Sequence, residues 1–98
     1  MENRVLVTAT IAEVKILRYT PAGLPALDML LEHRSQQEEA GQARQVNALL
    51  KAVAFGALAE RIARQAVGSN WVFQGFLATP RNSKSLVLHI QDIQPDTN

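Results

Sequence analysis

Residues 55–77 read FGALAERIARQAVGSNWVFQGFL, and the hydrophobic period changes within them. In the first half, apolar residues recur at the spacing that places them on one face of a helix. This stripe consists of Phe55, Leu58, Ala59, Ile62 and Ala66. Glu60 precedes Arg64 by one helical turn, which favours a helix, and Gly68 is positioned to cap its end. The first half therefore predicts a short amphipathic helix over residues 55–67.

The second half of this stretch predicts a strand. Residues 70–79 alternate in hydrophobicity, and one face consists of Trp71, Phe73, Gly75 and Leu77. A glycine inside a strand commonly marks a bulge or tight bend, as in a sheet that closes into a barrel. A polar, basic hairpin turn follows at residues 80–84, and residues 85–93 alternate again as a last strand.

Three further strands are predicted before the helix. Residues 4–14 are rich in β-branched side chains, and residues 26–35 alternate an apolar face with a mostly charged one. Residues 43–53 also alternate, which predicts a strand. Their alanine content is also compatible with a helix, so a helix is the alternative there. The turn formers TPAGLP at residues 20–25 predict a loop, and the polar run at residues 36–42 predicts a solvated hairpin connection.

The resulting order, β-β-β-α-β-β, is the layout of a five-stranded OB-fold barrel, an all-β fold with one short helix. This pattern favours the OB barrel over an SH3-like barrel or an α+β sandwich. A chain of 98 residues has room for one core, so we expect a single domain over residues 1–98. The chain has no cysteine, and small domains without disulfides often gain stability by oligomerising, so we expect a homodimer.

Composition and motifs argue against an enzyme. His33 and His89 lie far apart in the sequence and no cysteine accompanies them, so neither a metal centre nor another cofactor is expected. Glu38 and Glu39 predict a solvated loop rather than a catalytic pair. We expect His33 to be a hydrogen-bonded core residue and His89 to lie at the surface or an edge. The N-terminus has no signal-peptide pattern and no apolar run is long enough for a membrane span, so a cytoplasmic protein is expected.

The placement of basic residues is more informative than their number. Ten basic and nine acidic residues give a net charge of +1, which does not by itself indicate a nucleic-acid ligand. In an OB barrel, however, strands two and three and the loops 1–2 and 4–5 converge on one groove. The basic residues predicted to lie there are Arg18, Arg34, Arg44, Lys51, Arg81 and Lys84. The alternative is that they are ordinary solvated charges.

Aromatic residues offer few platforms for stacking bases. Phe55, Trp71 and Phe73 are expected in the core or an interface, because they lie on apolar faces. Phe76 fits either a subunit contact or a stacking surface, and Tyr19, beside Arg18, is the best remaining platform. Any DNA binding should therefore be dominated by electrostatics and be sensitive to salt.

Several blocks together resemble primosomal replication protein N, the bacterial PriB family, in order and over nearly the whole chain. They are Asn3-Arg4, TPAGLP at 20–25, LEHRS at 31–35, QEEAG at 37–41, Arg44-Gln45, Gly68-Ser69, Gly75-Phe76 and Leu88-His89. The resemblance implies an OB-fold homodimer that acts in replication restart and is not an enzyme. It implies single-stranded DNA, the primosomal helicase PriA and the primosome component DnaT as partners.

The resemblance also implies DNA-binding residues. Arg34 matches the family's strand-two arginine, Arg18 its basic position in loop 1–2, and Arg81 and Lys84 its lysine-bearing loop 4–5, which is shorter and less basic here. Asn47 stands where the family can present a tryptophan for base stacking. These differences favour weaker DNA binding. They leave open a protein–protein adaptor whose OB face mainly binds the helicase or another primosome component.

Overall fold

The structure is a computed structural model that describes residues 1–97. In this part of the chain, the strands are β1 (Val5–Val14), β2 (Arg18–Tyr19), β3 (Pro25–Glu39), β4 (Gln42–Phe55), β5 (Asn70–Ala78) and β6 (Val87–Pro95). The helix α1 (Ala57–Ala63) connects β4 to β5. No helix of residues 1–97 is both long and apolar enough to cross a membrane.

The strands form a closed barrel because β1 pairs with two neighbours. The sheet order is β1-β5-β6-β4-β3-β2, and β1 also pairs with β3. Residues 5–10 of β1 lie against β5, whereas the C-terminal part of β1 lies against β3, with a register shift between Ile11 and Glu13. The pairing of β4 with β6 is parallel. This is the predicted five-stranded OB barrel, to which β2 adds a two-residue strand at the edge of β3.

The core follows the two-residue period of the strands. Its largest fully buried side chains are Phe73, Ile11, Leu27, Leu31, Ile62, Leu88 and Ile93. Each such side chain contributes about 1.5–3 kcal/mol through burial. Ile62 and Ala59 come from α1, whose apolar face packs against β3 and β4. The expectation that Phe73 belongs to the core is confirmed.

Gly75 allows β5 and β6 to approach closely. The register between these strands shifts between Gln74 and Gly75, and a Cβ added at Gly75 would lie 1.9 Å from the backbone oxygen of His89. No side chain fits at that distance. The predicted bend at this glycine is therefore confirmed, and its cause is the backbone of β6.

The helix is shorter than predicted at both ends. Phe55 is the last residue of β4, opposite Ala26, and Gly56 breaks the strand with a φ of 71° before the helix begins. At the other end, Arg64 is the C-cap, whereas the Gly68 N–H donates to the carbonyl of Ile11. The placement of Phe55 in the helix stripe was wrong, because the strand ladder to β3 continues through it.

The connection predicted at residues 36–42 is mostly strand. β3 and β4 pair until Glu39 lies opposite Gln42, and the turn is only Ala40 and Gly41, both with positive φ. Such a two-residue turn suits the twist of a hairpin. Backbone hydrogen bonds pair these polar residues without any apolar face. Hydrophobic periodicity therefore could not detect this part of the two strands. β6 likewise continues through Pro95, opposite Trp71.

Candidate nucleic-acid interface

One side of the β3–β4 hairpin points away from the barrel core. Directly opposite residues share a face of an antiparallel pair, so the register defines this side. We call it the outer face, and its cross-strand pairs are Asp28 with Val53, Leu30 with Lys51, Glu32 with Leu49 and Arg34 with Asn47. The side chains of Arg34, Asn47, Leu49 and Lys51 are exposed there. The structure thus brings together three of the predicted DNA-binding residues.

Arg18 joins the outer face through an ion pair. It lies on β2 opposite Ala26, and its Nε and Nη2 atoms donate to Oδ2 and Oδ1 of Asp28 at 2.6 and 3.2 Å. The side chains of Arg18 and Asp28 are 51% and 38% exposed. The hydrogen bond to Asp28 raises the pKa of Arg18, so the guanidinium stays protonated. Both groups are accessible to a ligand.

Arg34 is also paired within the chain. Its Nη2 lies 3.2 Å from Oε1 of Glu32, two residues earlier on the same face of β3. This pair has one contact and Arg34 is 74% exposed, so the ion pair adds little stability. Lys51, by contrast, forms no ion pair among residues 1–97.

Arg44 lies on the other side of the hairpin. It is opposite Gln37, and this pair lies three residues along each strand from the pair of Arg34 and Asn47. The Nε of Arg44 lies 2.7 Å from Oε1 of Glu39. Because successive residues of a strand point to opposite faces, the structure does not bring Arg44 to the outer face. Of the six basic residues predicted to line one path, Arg44 is thus placed on the side of the hairpin opposite to Arg34.

The loop between β5 and β6 approaches Arg18. A cleft of about 400 Å³ is lined by Arg18 and Asp28 on one side and by Thr79 and Pro80 of the loop on the other. We call it the Arg18 cleft. Arg81 and Lys84 are exposed in the same loop, where the Ser83 N–H donates to the carbonyl of Pro80 at 3.0 Å. The predicted convergence of the two loops is thus observed for Arg18 and the start of this loop.

The rings of Phe55, His89 and Phe76 stack in a row beside the Arg18 cleft. His89 stacks on Phe76, with ring centroids 4.8 Å apart and planes 14° apart, and on Phe55 at 6.0 Å and 29°. His89 and Phe55 also line the cleft. His89 is half-buried between two rings rather than a plain surface residue, and Phe76 contacts it within the same chain. The alternation from Asn47 to Phe55 was the sequence signal that could have placed Phe55 here.

Of the other residues singled out in the sequence, His33 has a structural role and Tyr19 lies apart from the outer face. His33 is half-buried, and its ring nitrogens lie 2.7 Å from the carbonyl of Thr8 and 2.7 Å from Oγ of Ser35, which confirms the hydrogen-bonded role. Tyr19 is exposed and lies next to Arg18 on β2, opposite Pro25. As the next residue of the strand, it belongs to the face opposite to that of Arg18. Among residues 1–97, no group of three or more His, Asp or Glu side chains is arranged to hold a metal ion.

Known proteins with similar sequences identify the family. Residues 3–92 match the profile of a family described as "another single-strand binding protein family". Replication restart protein PriB of Bordetella pertussis is 43% identical over 90 residues, which cover 91% of this chain and 84% of the relative. The chain belongs to the PriB family. PriB of Nitrosomonas europaea is 42% identical over 91 residues, covering 92% of this chain and 84% of that relative.

Solved structures agree with PriB membership. PriB from Ralstonia solanacearum superposes with a TM-score of 0.89 at 39% identity, covering 97% of this chain and 98% of that one. A single-stranded DNA binding protein from Thermus aquaticus shares the fold, with a TM-score of 0.77 at 24% identity over 97% of this chain and 50% of the other. The resemblance to PriB is confirmed. PriB is not an enzyme family, which confirms the prediction of a binding protein.

Proposed function

We propose that this PriB-family chain acts in replication restart by binding single-stranded DNA on the outer face and in the Arg18 cleft. The observation that carries the proposal is the common face shared by Arg18, Arg34 and Lys51. Asp28 and Glu32 lie on the same face and form ion pairs with Arg18 and Arg34, so Lys51 supplies the positive charge that no ion pair offsets among residues 1–97. A basic groove that follows the backbone is how OB folds bind single strands.

The outer face offers phosphate contacts beside surfaces for bases. Arg18, Arg34 and Lys51 supply positive charge, while Leu49, which is 67% exposed, and Phe55 supply apolar surface. From Asn47 to Phe55 this part of β4 spans about 26 Å. An OB fold typically covers about 4–16 nucleotides. Arg81 and Lys84 extend the positive charge from the loop, and Tyr19 and Arg44 stay candidates for DNA that passes beyond the outer face.

Binding of a fluorescent oligothymidine, measured by anisotropy at several salt concentrations, tests this proposal. Arg34→Ala should weaken binding and flatten the salt dependence by about 0.7 in slope, because one phosphate contact is lost. The matched control is Arg61→Ala, which removes an exposed arginine from α1. An Arg34→Ala slope equal to that of Arg61→Ala would remove Arg34 from the DNA site.

The proposal includes a homodimer in the cytoplasm. Residues 5–9 of β1 pair with β5 on one side only, so this edge can pair with a second copy. The exposed Leu6 on the same segment supports that use. Phe73 is fully buried and so is not an accessible dimer contact. Light scattering should give twice the chain mass of 10.8 kDa.

A second candidate function is a protein adaptor whose outer face binds PriA, DnaT or another primosome component. The exposed Leu49 at the centre of the face and the internal pairing of Arg18 and Arg34 favour it, because both suit a mixed protein surface. The adaptor predicts that Arg34→Ala changes helicase binding while DNA affinity hardly moves. Pull-down with purified PriA, run beside the anisotropy titration, separates the two functions.

A further inference from the structure

The ion pair between Arg18 and Asp28 occupies the groups that DNA would use. Asp28 accepts from two different nitrogens of Arg18, at 2.6 and 3.2 Å, so the carboxylate covers one edge of the guanidinium. Arginine binds phosphate through the same planar, two-point geometry. A DNA phosphate approaching this edge therefore meets a position that Asp28 already fills.

The position of the pair makes this competition relevant to the ligand path. Asp28 lies on the outer face opposite Val53, and both charged groups line the Arg18 cleft with Phe55 and His89. The pair carries no net charge, so it attracts the DNA backbone less than Arg18 alone would. Among residues 1–97, Arg18 is the ion-pair partner of Asp28, while Lys15 and Lys51 line a neighbouring cleft together with Asp28.

We infer that Asp28 competes with DNA phosphate for Arg18 and thereby sets the DNA affinity of the outer face. The inference rests on the proposed function, since it concerns the same single-stranded DNA. Binding exchanges the carboxylate of Asp28 for a phosphate on the Nε and Nη2 edge of Arg18. The freed carboxylate then returns to water, which its 38% exposure permits.

Four proteins test the exchange: the natural chain, Asp28→Asn, Arg18→Ala and the double variant. Affinity for oligothymidine is measured by anisotropy at low salt. Asp28→Asn should raise affinity about fivefold when Arg18 is present and about twofold or less in the Arg18→Ala background. With Arg18 present, the salt dependence should also steepen by up to about 0.7 in slope.

Additivity distinguishes competition from simple repulsion. If Asp28 only repels DNA, its charge acts on DNA independently of Arg18, and the gain is equal in both backgrounds. Equal gains, or an Asp28→Asn gain no larger than that of Glu60→Gln on α1, overturn the inference. Glu60→Gln makes the same change in net charge on an exposed helix residue.

Two further measurements keep the outcomes separate. Thermal unfolding checks that each variant is folded, and Asp28→Ser provides a second way to remove the charge and should reproduce the gain. If the natural chain binds DNA but Asp28→Asn and Asp28→Ser give no gain, the inference fails while the proposed function stands. If neither the natural chain nor any of these variants binds DNA, the proposed function fails and the inference with it.

Discussion

Asn47 lies opposite Arg34 at one end of the outer face, and its small amide gives a base little surface to stack on. Its neighbours on the face are the exposed Leu49 and the ion-paired Arg34. At the residue scale, this face therefore holds two of its three cations, Arg18 and Arg34, in ion pairs and presents no ring beside Arg34. Both features lower the affinity expected for DNA.

Asn47→Trp should strengthen oligothymidine binding at least about fivefold, because one aromatic platform contributes roughly 1–3 kcal/mol per stacked base. Tryptophan fluorescence quenching and anisotropy measure the gain. Ala48→Trp is the matched control, since Ala48 is exposed but lies on the opposite side of β4. An equal gain from Ala48→Trp would show that added aromatic surface, rather than its place on the outer face, increases affinity.

Gly75→Ala should destabilise the barrel by about 3 kcal/mol or more, because the new Cβ meets the backbone of His89 and one strand must move. Thermal unfolding should show a Tm lower by roughly 10 °C or more. Gly23→Ala is the comparison. Gly23 has a φ of 84° but open space around its Cβ position, so this variant should lose less stability than Gly75→Ala. A Gly75→Ala protein as stable as the natural chain would contradict the close approach of β5 and β6.

At the element scale, sequence periodicity located the helix but misjudged where β4 ends. Phe55 fits both the helix stripe and the strand alternation, and its pairing with Ala26 of β3 decides for the strand. The stacked rings of Phe55, Phe76 and His89 come from three strands. Their contact depends on the registers between β4, β6 and β5, which hydrophobic alternation does not specify.

Phe55→Ala should weaken oligothymidine binding about three- to tenfold, because the cleft loses its outermost ring. The effect on stability should be modest, since Phe55 is 38% exposed. Anisotropy titration and thermal unfolding together measure both quantities. The control is Val67→Ala, which shortens an exposed apolar side chain beyond α1. A loss of affinity no greater than that of Val67→Ala would exclude Phe55 from the DNA path.

At the scale of the whole molecule, residues 55–77 and the flanking alternation favoured the OB barrel over an SH3-like barrel or an α+β sandwich, and the structure confirms the OB barrel. The grouping of residues in the candidate site was predicted only in part. Arg18, Arg34, Asn47 and Lys51 do share the outer face, but Arg44 does not. The pairing of Arg18 with Asp28 needs the β2–β3 hairpin, which brings residues ten apart in sequence into contact. Strand phase and ion pairs therefore decide how much of the basic charge is available to DNA.

The most direct test of the DNA-binding face is an NMR titration of the ¹⁵N-labelled protein with oligothymidine at low salt. We predict that the signals that shift most belong to the outer face and the Arg18 cleft, including those of Arg18, Arg34, Asn47 and Lys51. Shifts confined to α1 and to the side of the hairpin that carries Arg44 would contradict it.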